Sequence, residues 1–284
     1  MTEPTPLVNT VESRRSVGRA IPATTTGGRP GVRVDAVRQL LPVLRPIADM
    51  SAAMNALADD DRPAPAGRPW IMANMVASID GAYAVDGRSG GLGTAGDKIV
   101  FRCLRGLADV VLVGAGTARA EHYRRPQAVD AAQALRSERG QAPAARLVLV
   151  SRSGRVDARQ RYLDGDGTEP LMVHAEALDH SAMPDGVQTL QSAGTDGGVD
   201  LIGLLDHLVS SGVRLVLCEG GPSLLGQLHR ADLIDEIFVT TSPTMVGGAD
   251  TGILGHSEAV LRNRRLHRLW LDDEGALLAT WRRS

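Results

Sequence analysis

The residues best suited to chemistry lie at two glycine-rich junctions. Glu219-Gly220-Gly221-Pro222-Ser223 connects an aliphatic run over 213–218 to a helical pattern over 222–230. Glycines at such a junction let backbone approach a ligand, and Pro222 suits a first helical turn, whose N–H has no internal partner. Free N–H groups and the helix dipole then favour an anion such as a pyrophosphate. A tight strand-to-helix turn without a ligand explains the same residues equally well. The second junction, Val113-Gly114-Ala115-Gly116-Thr117-Ala118, follows the run 110–113. It imitates a dinucleotide fingerprint, but Arg119 stands where that fingerprint needs Gly or Ala. Two such turns on one sheet suggest an extended ligand with two phosphate-bearing ends.

Other polar groups surround these turns in the sequence. Val150-Ser151-Arg152-Ser153-Gly154-Arg155 leaves a strand with two hydroxyls and two guanidiniums, which would suit a 2′-phosphate or a solvated loop. Gly87-Arg88-Ser89-Gly90-Gly91 has the spacing of a hydrolase nucleophile elbow. An elbow needs its helix to start at once, whereas glycines continue to Gly96, so a mobile loop over a ligand is the better account. Arg102 and Arg105 lie three apart on the polar face of one helix, near enough to share an anion, although a solvated face is the more common meaning of such a pair. Glu121 is a proton donor or a helix-end charge. Seven histidines without a His-x-x-x-His pair, and two cysteines far apart in sequence, leave metal chemistry without support. Cys103 and Cys218 read as small buried hydrophobes. Lys98 is the single lysine beside 30 arginines.

The elements that must position these groups alternate. Trp70–Ala77, Val110–Val113, Leu147–Val150, Leu171–His174 and Val213–Cys218 are short aliphatic runs of the kind buried on both faces of a parallel sheet. Helices are predicted over 97–107, 116–121, 200–211 and 222–230. Thr94 precedes the first of these at the spacing of a capping box with Asp97. Ile237–Ser242, Leu266–Asp272 and Ala276–Trp281 are strands with no helix between them, and Asp273-Glu274-Gly275 makes the last two a hairpin. The predicted fold class is therefore α/β: a mostly parallel sheet with helices on both faces and an antiparallel C-terminal edge.

Residues 1–68 differ in character. Positions 1–30 are too poor in apolar residues to offset ordering entropy and read as disordered. Positions 32–57 read as short helical pieces broken by Pro42 and Pro46, and 59–67 as a linker. An N-terminal extension over 1–68 and a main domain over 69–284 follow. The net charge of −2 and 3% aromatic content give no case for nucleic acid. No run reaches the ~20 apolar residues of a membrane span, and no secretory signal is visible, so a cytoplasmic chain is expected.

Met75-Val76-Ala77-Ser78-Ile79-Asp80-Gly81, then Leu104-Arg105-Gly106-Leu107-Ala108-Asp109 running into Val110-Val111-Leu112-Val113-Gly114-Ala115-Gly116-Thr117, then Glu219 to Leu225, occur in this order. In order and spacing they resemble the reductase domain of the riboflavin-biosynthesis deaminase/reductase, a relative of dihydrofolate reductase. The resemblance spans about 69–284. It implies a dihydrofolate-reductase-like fold, NADPH as hydride donor, a homodimer, and reduction of the ribose of 5-amino-6-(5-phosphoribosylamino)uracil to a ribityl chain. By position it implies that Val76, Gly91, Gly114, Gly116, Thr117, Glu121 and the stretch Gly220, Gly221, Pro222, Ser223, Leu224, Leu225 to Gln227 line the NADPH site. Ser151, Arg152 and Ser153 would lie near the adenosine 2′-phosphate or the adjoining substrate edge. Asn74, Ser89, Arg105, Arg125 and Glu219 would face the substrate, with Arg105 on its phosphate and Glu121 or water giving the proton. It also implies a strained Gly220–Gly221 peptide, with cis as one form. Three departures stand out: residues 1–68 carry none of the deaminase's zinc-binding cysteines, Asn74 replaces a frequent lysine, and Glu121 a frequent Asp. A relative acting on dihydrofolate or another heterocycle, a Ser89 hydrolase and a non-catalytic nucleotide binder are the competing readings.

Overall fold

The computed structural model describes residues 49–127, 129–155, 160–164, 167–178, 184–248 and 252–284. The expectations for residues 1–48 lie outside these. In chain order the strands are β1 (Trp70–Ser78), β2 (Val110–Gly114), β3 (Arg146–Ser151), β4 (Leu171–His174), β5 (Gln188–Gln191), β6 (Leu215–Cys218), β7 (Glu236–Ser242), β8 (Arg264–Leu271) and β9 (Leu277–Arg283). The helices are α1 (Met50–Ala58), α2 (Ala95–Leu107), α3 (Ala115–Ala120), α4 (Gln133–Glu138), α5 (Leu201–Ser210) and α6 (Pro222–Arg230).

The strands form one sheet in the order β5-β4-β3-β2-β6-β1-β7-β9-β8. The first seven are mutually parallel, and β9 runs antiparallel to both β7 and β8. β4 and β6 are buried at every position, as aliphatic runs covered on both faces require. One core cluster packs α1 and α2 onto one face through Met54, Leu57, Leu104 and Leu107. The other packs α5 and α6 onto the opposite face through Leu204, Leu208, Leu225 and Leu228. Cys103 and Cys218 are fully buried in these clusters, and burial pushes their thiols up to about 11 and about 12. The chain leaves the centre at β1, builds outward through β2 to β5, and returns to insert β6 between β2 and β1. That reversal opens a crevice at the carboxyl ends of the central strands, where ligands of open α/β sheets bind. No helix among the described residues is long and apolar enough to cross a membrane.

Two elements escaped the sequence reading. β5 (Gln-Thr-Leu-Gln) is a half-exposed edge strand with no aliphatic run to betray it, and α4 is a single short helical stretch. The linker expectation for 59–67 is also corrected. Part of this stretch is an ion-pair anchor. Arg62 donates to Glu236 at 2.7 Å, and Asp60 takes Arg268 at 2.8 Å and lies 3.0 Å from His267 Nε2. Burial works against the Asp60 carboxylate, yet the His267 hydrogen bond and the Arg268 and Arg62 charges hold it below its ordinary range. Just beyond, Arg68 binds Asp235 through two bonds at 2.6 and 2.7 Å. α1, capped by Asp49 on Ala52 N–H, belongs to the same packed body. Gly106 on α2 leaves room for Met54 and Ala132: a Cβ there would lie 2.6 Å from Met54 Cε and 2.8 Å from Ala132 Cβ.

Candidate functional site

Both glycine-rich turns open on one cleft of about 900 Å³. They abut: Gly114 N–H donates to Gly220 O at 2.8 Å, and Gly221 N lies 3.5 Å from where a Cβ on Gly114 would sit. The Gly220–Gly221 peptide is cis, and Gly220 has φ +83°, a conformation that favours glycine. α6 starts at Gly221 with Pro222 in its first turn and has no side-chain cap; α3 starts at Gly114 in the same way. Their leading N–H groups therefore face the cleft without a competing acceptor from a capping side chain, which fits a dinucleotide pyrophosphate. Ser151, Arg152 and Ser153 form another stretch of the wall, from the end of β3. Ser151 Oγ accepts from Gly154 N–H, and exposed Arg152 lies 3.6 Å from Glu176.

Gly116, Thr117, Gly221, Pro222 and Tyr83 are shared with a second cavity of about 380 Å³, over β1 and α2. Asn74, Val76, Ser89, Lys98, Phe101, Glu121, Tyr123 and Glu219 complete most of its wall. Glu219 is held from behind. Its Oε1 accepts from Arg105 Nε at 2.7 Å, and its Oε2 from a second Arg105 nitrogen and from the Tyr123 hydroxyl, both at 2.7 Å. The guanidinium packs over Phe101, 4.2 Å from the ring centroid. Burial disfavours the Arg105 charge, but Glu219 outweighs it and drives the pKa up. Burial and then the Glu219 charge push the Tyr123 phenol well above its usual value, so it stays a donor.

The loop over this cavity is pinned to the end of α3. Ser89 donates to Glu121 Oε1 through its N–H at 2.6 Å and its hydroxyl at 3.0 Å, while Arg88 lies 2.9 Å from His122 Nε2. Ser89 thus bonds a carboxylate rather than a histidine and follows no strand-to-helix elbow, contrary to what a hydrolase nucleophile requires. α2 is fixed at its start by the β8–β9 turn. Thr94 caps Asp97 N–H and donates to Asp272 at 2.5 Å, and Ala95 N–H donates to Glu274 at 2.6 Å. Asp97, whose carboxyl is half-buried and has its pKa raised by that desolvation, accepts from Thr240 at 2.7 Å. Asp80 ties the end of β1 to the 246–247 loop. Its Ser78 hydrogen bond and the N–H groups of Gly247 and Val246 hold its pKa at about 2.

Several expected residues stand elsewhere. Arg125 does not face the cavity: its guanidinium binds the carbonyls of Tyr162, Leu163 and Gly167. Leu225 is in the core, whereas Leu224, Ser223 and Gln227 line the larger cleft. Gly91 lies outside the wall that its neighbours Ser89, Gly90 and Gly93 form, and Gly220 shapes the turn from behind. Arg105 sits behind Glu219, and exposed Arg102 shares no anion with it. Lys98, Tyr123 and Arg119 went unrecognised as wall residues. Lys98 carried a signal as the only lysine, and Arg119 is the residue that spoiled the fingerprint.

Gly221 offers a direct test of the cleft. A Cβ there would fall on the Thr117 hydroxyl, so Gly221→Ala forces the two turns apart. Overpacking of this kind costs about 1–3 kcal/mol, and roughly a tenfold weaker affinity for a nicotinamide dinucleotide is expected by fluorescence titration. Adding Thr117→Ala removes that hydroxyl and should restore part of the loss. Unchanged affinity in the single variant would remove this turn from the cofactor site.

The RibD C-terminal domain profile matches residues 69–278. The 2,5-diamino-6-ribosylamino-4(3H)-pyrimidinone 5′-phosphate reductase of Archaeoglobus fulgidus is 27% identical over 211 residues, covering 73% of this chain and 95% of that protein. Its namesake from Methanothermobacter thermautotrophicus is 29% identical over 200 residues, 68% of this chain and 86% of that protein. The crystal structure of a pyrimidine reductase-like protein from Corynebacterium diphtheriae shares the fold, with a TM-score of 0.65 at 21% identity over 75% of this chain and 91% of that one. With a profile that runs from the first residues before β1 into β9, the chain belongs to the RibD C-terminal domain family.

Proposed function

We propose that the protein reduces the ribosyl group of a ribosylaminopyrimidine 5′-phosphate to a ribityl chain, with NADPH as the reductant. The observation that carries this reading is the shared wall. Two uncapped glycine-rich turns bind a dinucleotide on one side, and Gly116, Thr117, Gly221 and Pro222 lead directly into a polar cavity on the other. The names of the archaeal relatives agree with it. The bound reduced nicotinamide supplies a hydride; the chain supplies alignment and protection from bulk water.

Within this reading the N–H groups at the start of α6 hold the pyrophosphate, and Ser151, Arg152 and Ser153 receive the 2′-phosphate. Glu219 faces the sugar with its orientation set by Arg105 and Tyr123. The Tyr123 hydroxyl donates to Glu219 and holds that carboxylate toward the sugar, and the proton that accompanies reduction comes from water. Glu121 holds the Ser89 loop closed over the cavity, which gives it a positioning task rather than the donor's.

NADPH consumption followed by absorbance tests this directly, with 2,5-diamino-6-ribosylamino-4(3H)-pyrimidinone 5′-phosphate, its deaminated uracil counterpart and dihydrofolate offered in parallel. Turnover of either pyrimidine phosphate is expected. Turnover of dihydrofolate alone would overturn the substrate. Arg152→Ala should lower the preference for NADPH over NADH by about tenfold, the scale of one charge-assisted phosphate contact. An unaltered preference would move the 2′-phosphate elsewhere.

A further inference from the structure

The larger cleft and the smaller cavity have Tyr83, Gly116, Thr117, Gly221 and Pro222 as common wall. Four of these belong to the starts of α3 and α6, which abut through the hydrogen bond from Gly114 N–H to Gly220 O. Tyr83 comes from a different segment, the loop that follows β1. The passage between the two spaces is therefore bounded by the paired turns and by this one phenol ring. Among the described residues no other Phe, Tyr or Trp lines the larger cleft. In the smaller cavity Phe101 is covered by the Arg105 guanidinium, and Tyr123 is bonded to Glu219. The Tyr83 side chain is half-buried, and its hydroxyl makes no hydrogen bond among the described residues.

We infer that Tyr83 is the ring against which the nicotinamide end of the dinucleotide rests where it crosses from the larger cleft into the smaller cavity. This rests on the reading of the site as that of a nicotinamide-dependent reductase. A dinucleotide whose pyrophosphate lies at the uncapped start of α6 has its adenosine end toward Ser151, Arg152 and Ser153. Its other end must cross the shared wall to reach the cavity that holds Glu219. There the turns offer backbone, a hydroxyl and a proline ring, whereas Tyr83 supplies an aromatic face. A flat heterocycle stacks on such a face with a gain beyond simple burial. The ring also has a firm base. Ala82, just before it, is fully buried, donates its N–H to Ser78 Oγ at 2.9 Å and accepts from Ser78 N–H at 2.8 Å. Just after it the chain reverses at Asp86-Gly87, with φ +50° and +76°, and Val85 and Arg88 exchange both backbone hydrogen bonds.

The test titrates NADPH and its fragment 2′-phospho-ADP-ribose, which lacks the nicotinamide, by calorimetry into the wild type, Tyr83→Phe and Tyr83→Ala. The wild type should bind NADPH more tightly than the fragment. Tyr83→Ala should lose about tenfold of that advantage, the scale of one aromatic stack, while Tyr83→Phe keeps it. Fragment affinity should be the same in all three proteins, which also reports that the variants are folded. The emission of bound NADPH should move toward its value in water in Tyr83→Ala alone. An equal loss for NADPH and fragment would reduce Tyr83 to a support of the loop, and overturns the inference. So does an advantage that persists in Tyr83→Ala or is absent from the wild type. Failure of both ligands to bind overturns the cofactor reading together with it. If Tyr83→Ala loses the advantage while no pyrimidine is turned over, the substrate reading fails and the Tyr83 contact stands. If a pyrimidine phosphate is reduced and Tyr83→Ala keeps the full advantage, the reverse holds.

Discussion

Glu219→Gln is expected to lower kcat/KM for the pyrimidine phosphate about 100-fold, with NADPH affinity changed far less. The carboxylate accepts three hydrogen bonds at 2.7 Å, two from Arg105 and one from Tyr123. A carboxamide keeps the shape but offers one acceptor oxygen and turns an NH₂ group toward donors. It cannot satisfy Arg105 and Tyr123 together, so the side chain rotates and the polar group facing the sugar is lost. A misplaced acid–base or electrostatic group of this kind accounts for about 10²- to 10³-fold in rate. Tyr123→Phe removes a single donor and should cost less, about tenfold. Its raised pKa keeps the phenol protonated through neutrality, so the wild-type profile should show no step from Tyr123 below its ordinary value of 10. Steady-state kinetics at saturating NADPH decides the matter. Full turnover by Glu219→Gln would take this residue out of the reaction.

Glu236→Ala should destabilise the fold by about 3–5 kcal/mol, the scale of breaking a buried ion pair, and lower Tm by about 10 °C. Its side chain is fully buried at the start of β7, where Arg62 approaches at 2.7 Å and Arg282 at 3.1 Å. Removal of the carboxylate leaves two largely buried guanidiniums facing each other, with Asp60 alone to share between Arg62, Arg268 and Arg282. The same change loosens the segment that carries α1, since Arg62 is one of its two anchors to the sheet and Asp60 is the other. Activity per folded molecule at low temperature should persist, because the cluster lies at the opposite end of β7 from the cleft. A Tm within 2 °C of the wild type by calorimetry would show that these ion pairs add nothing net, as many surface pairs do.

Much of the architecture was legible without coordinates, because the signals concerned were local. Aliphatic runs bounded by glycine or charge marked the parallel strands except β5, whose polar edge position leaves no such signature, and β7, which read as a strand of the helix-free C-terminal end but pairs parallel with β1. Thr94 and Asp97 announced the start of α2, and the hairpin turn before β9 was visible in Asp273-Glu274-Gly275. Both phosphate-type turns were evident, because glycine at a strand-to-helix junction is a requirement of backbone geometry. A charged, proline-rich stretch such as 59–67 reads as solvated by composition; its anchoring by Arg62 and Asp60 depends on residues more than 170 positions away.

The sequence by itself determined the α/β class, the antiparallel end, the two glycine-rich turns and the family, since each rests on spacing along the chain. Only the tertiary structure decided which charges are free. Arg105 and Glu219 stand 114 residues apart, and their bidentate pairing withdraws the one from the cavity while orienting the other. Arg125 turns its guanidinium to the carbonyls of Tyr162, Leu163 and Gly167, and Glu121 secures Ser89. A side chain's type is written in the sequence, but its availability depends on whichever opposite charge or acceptor the fold brings within hydrogen-bonding distance, and that partner is set by long-range packing.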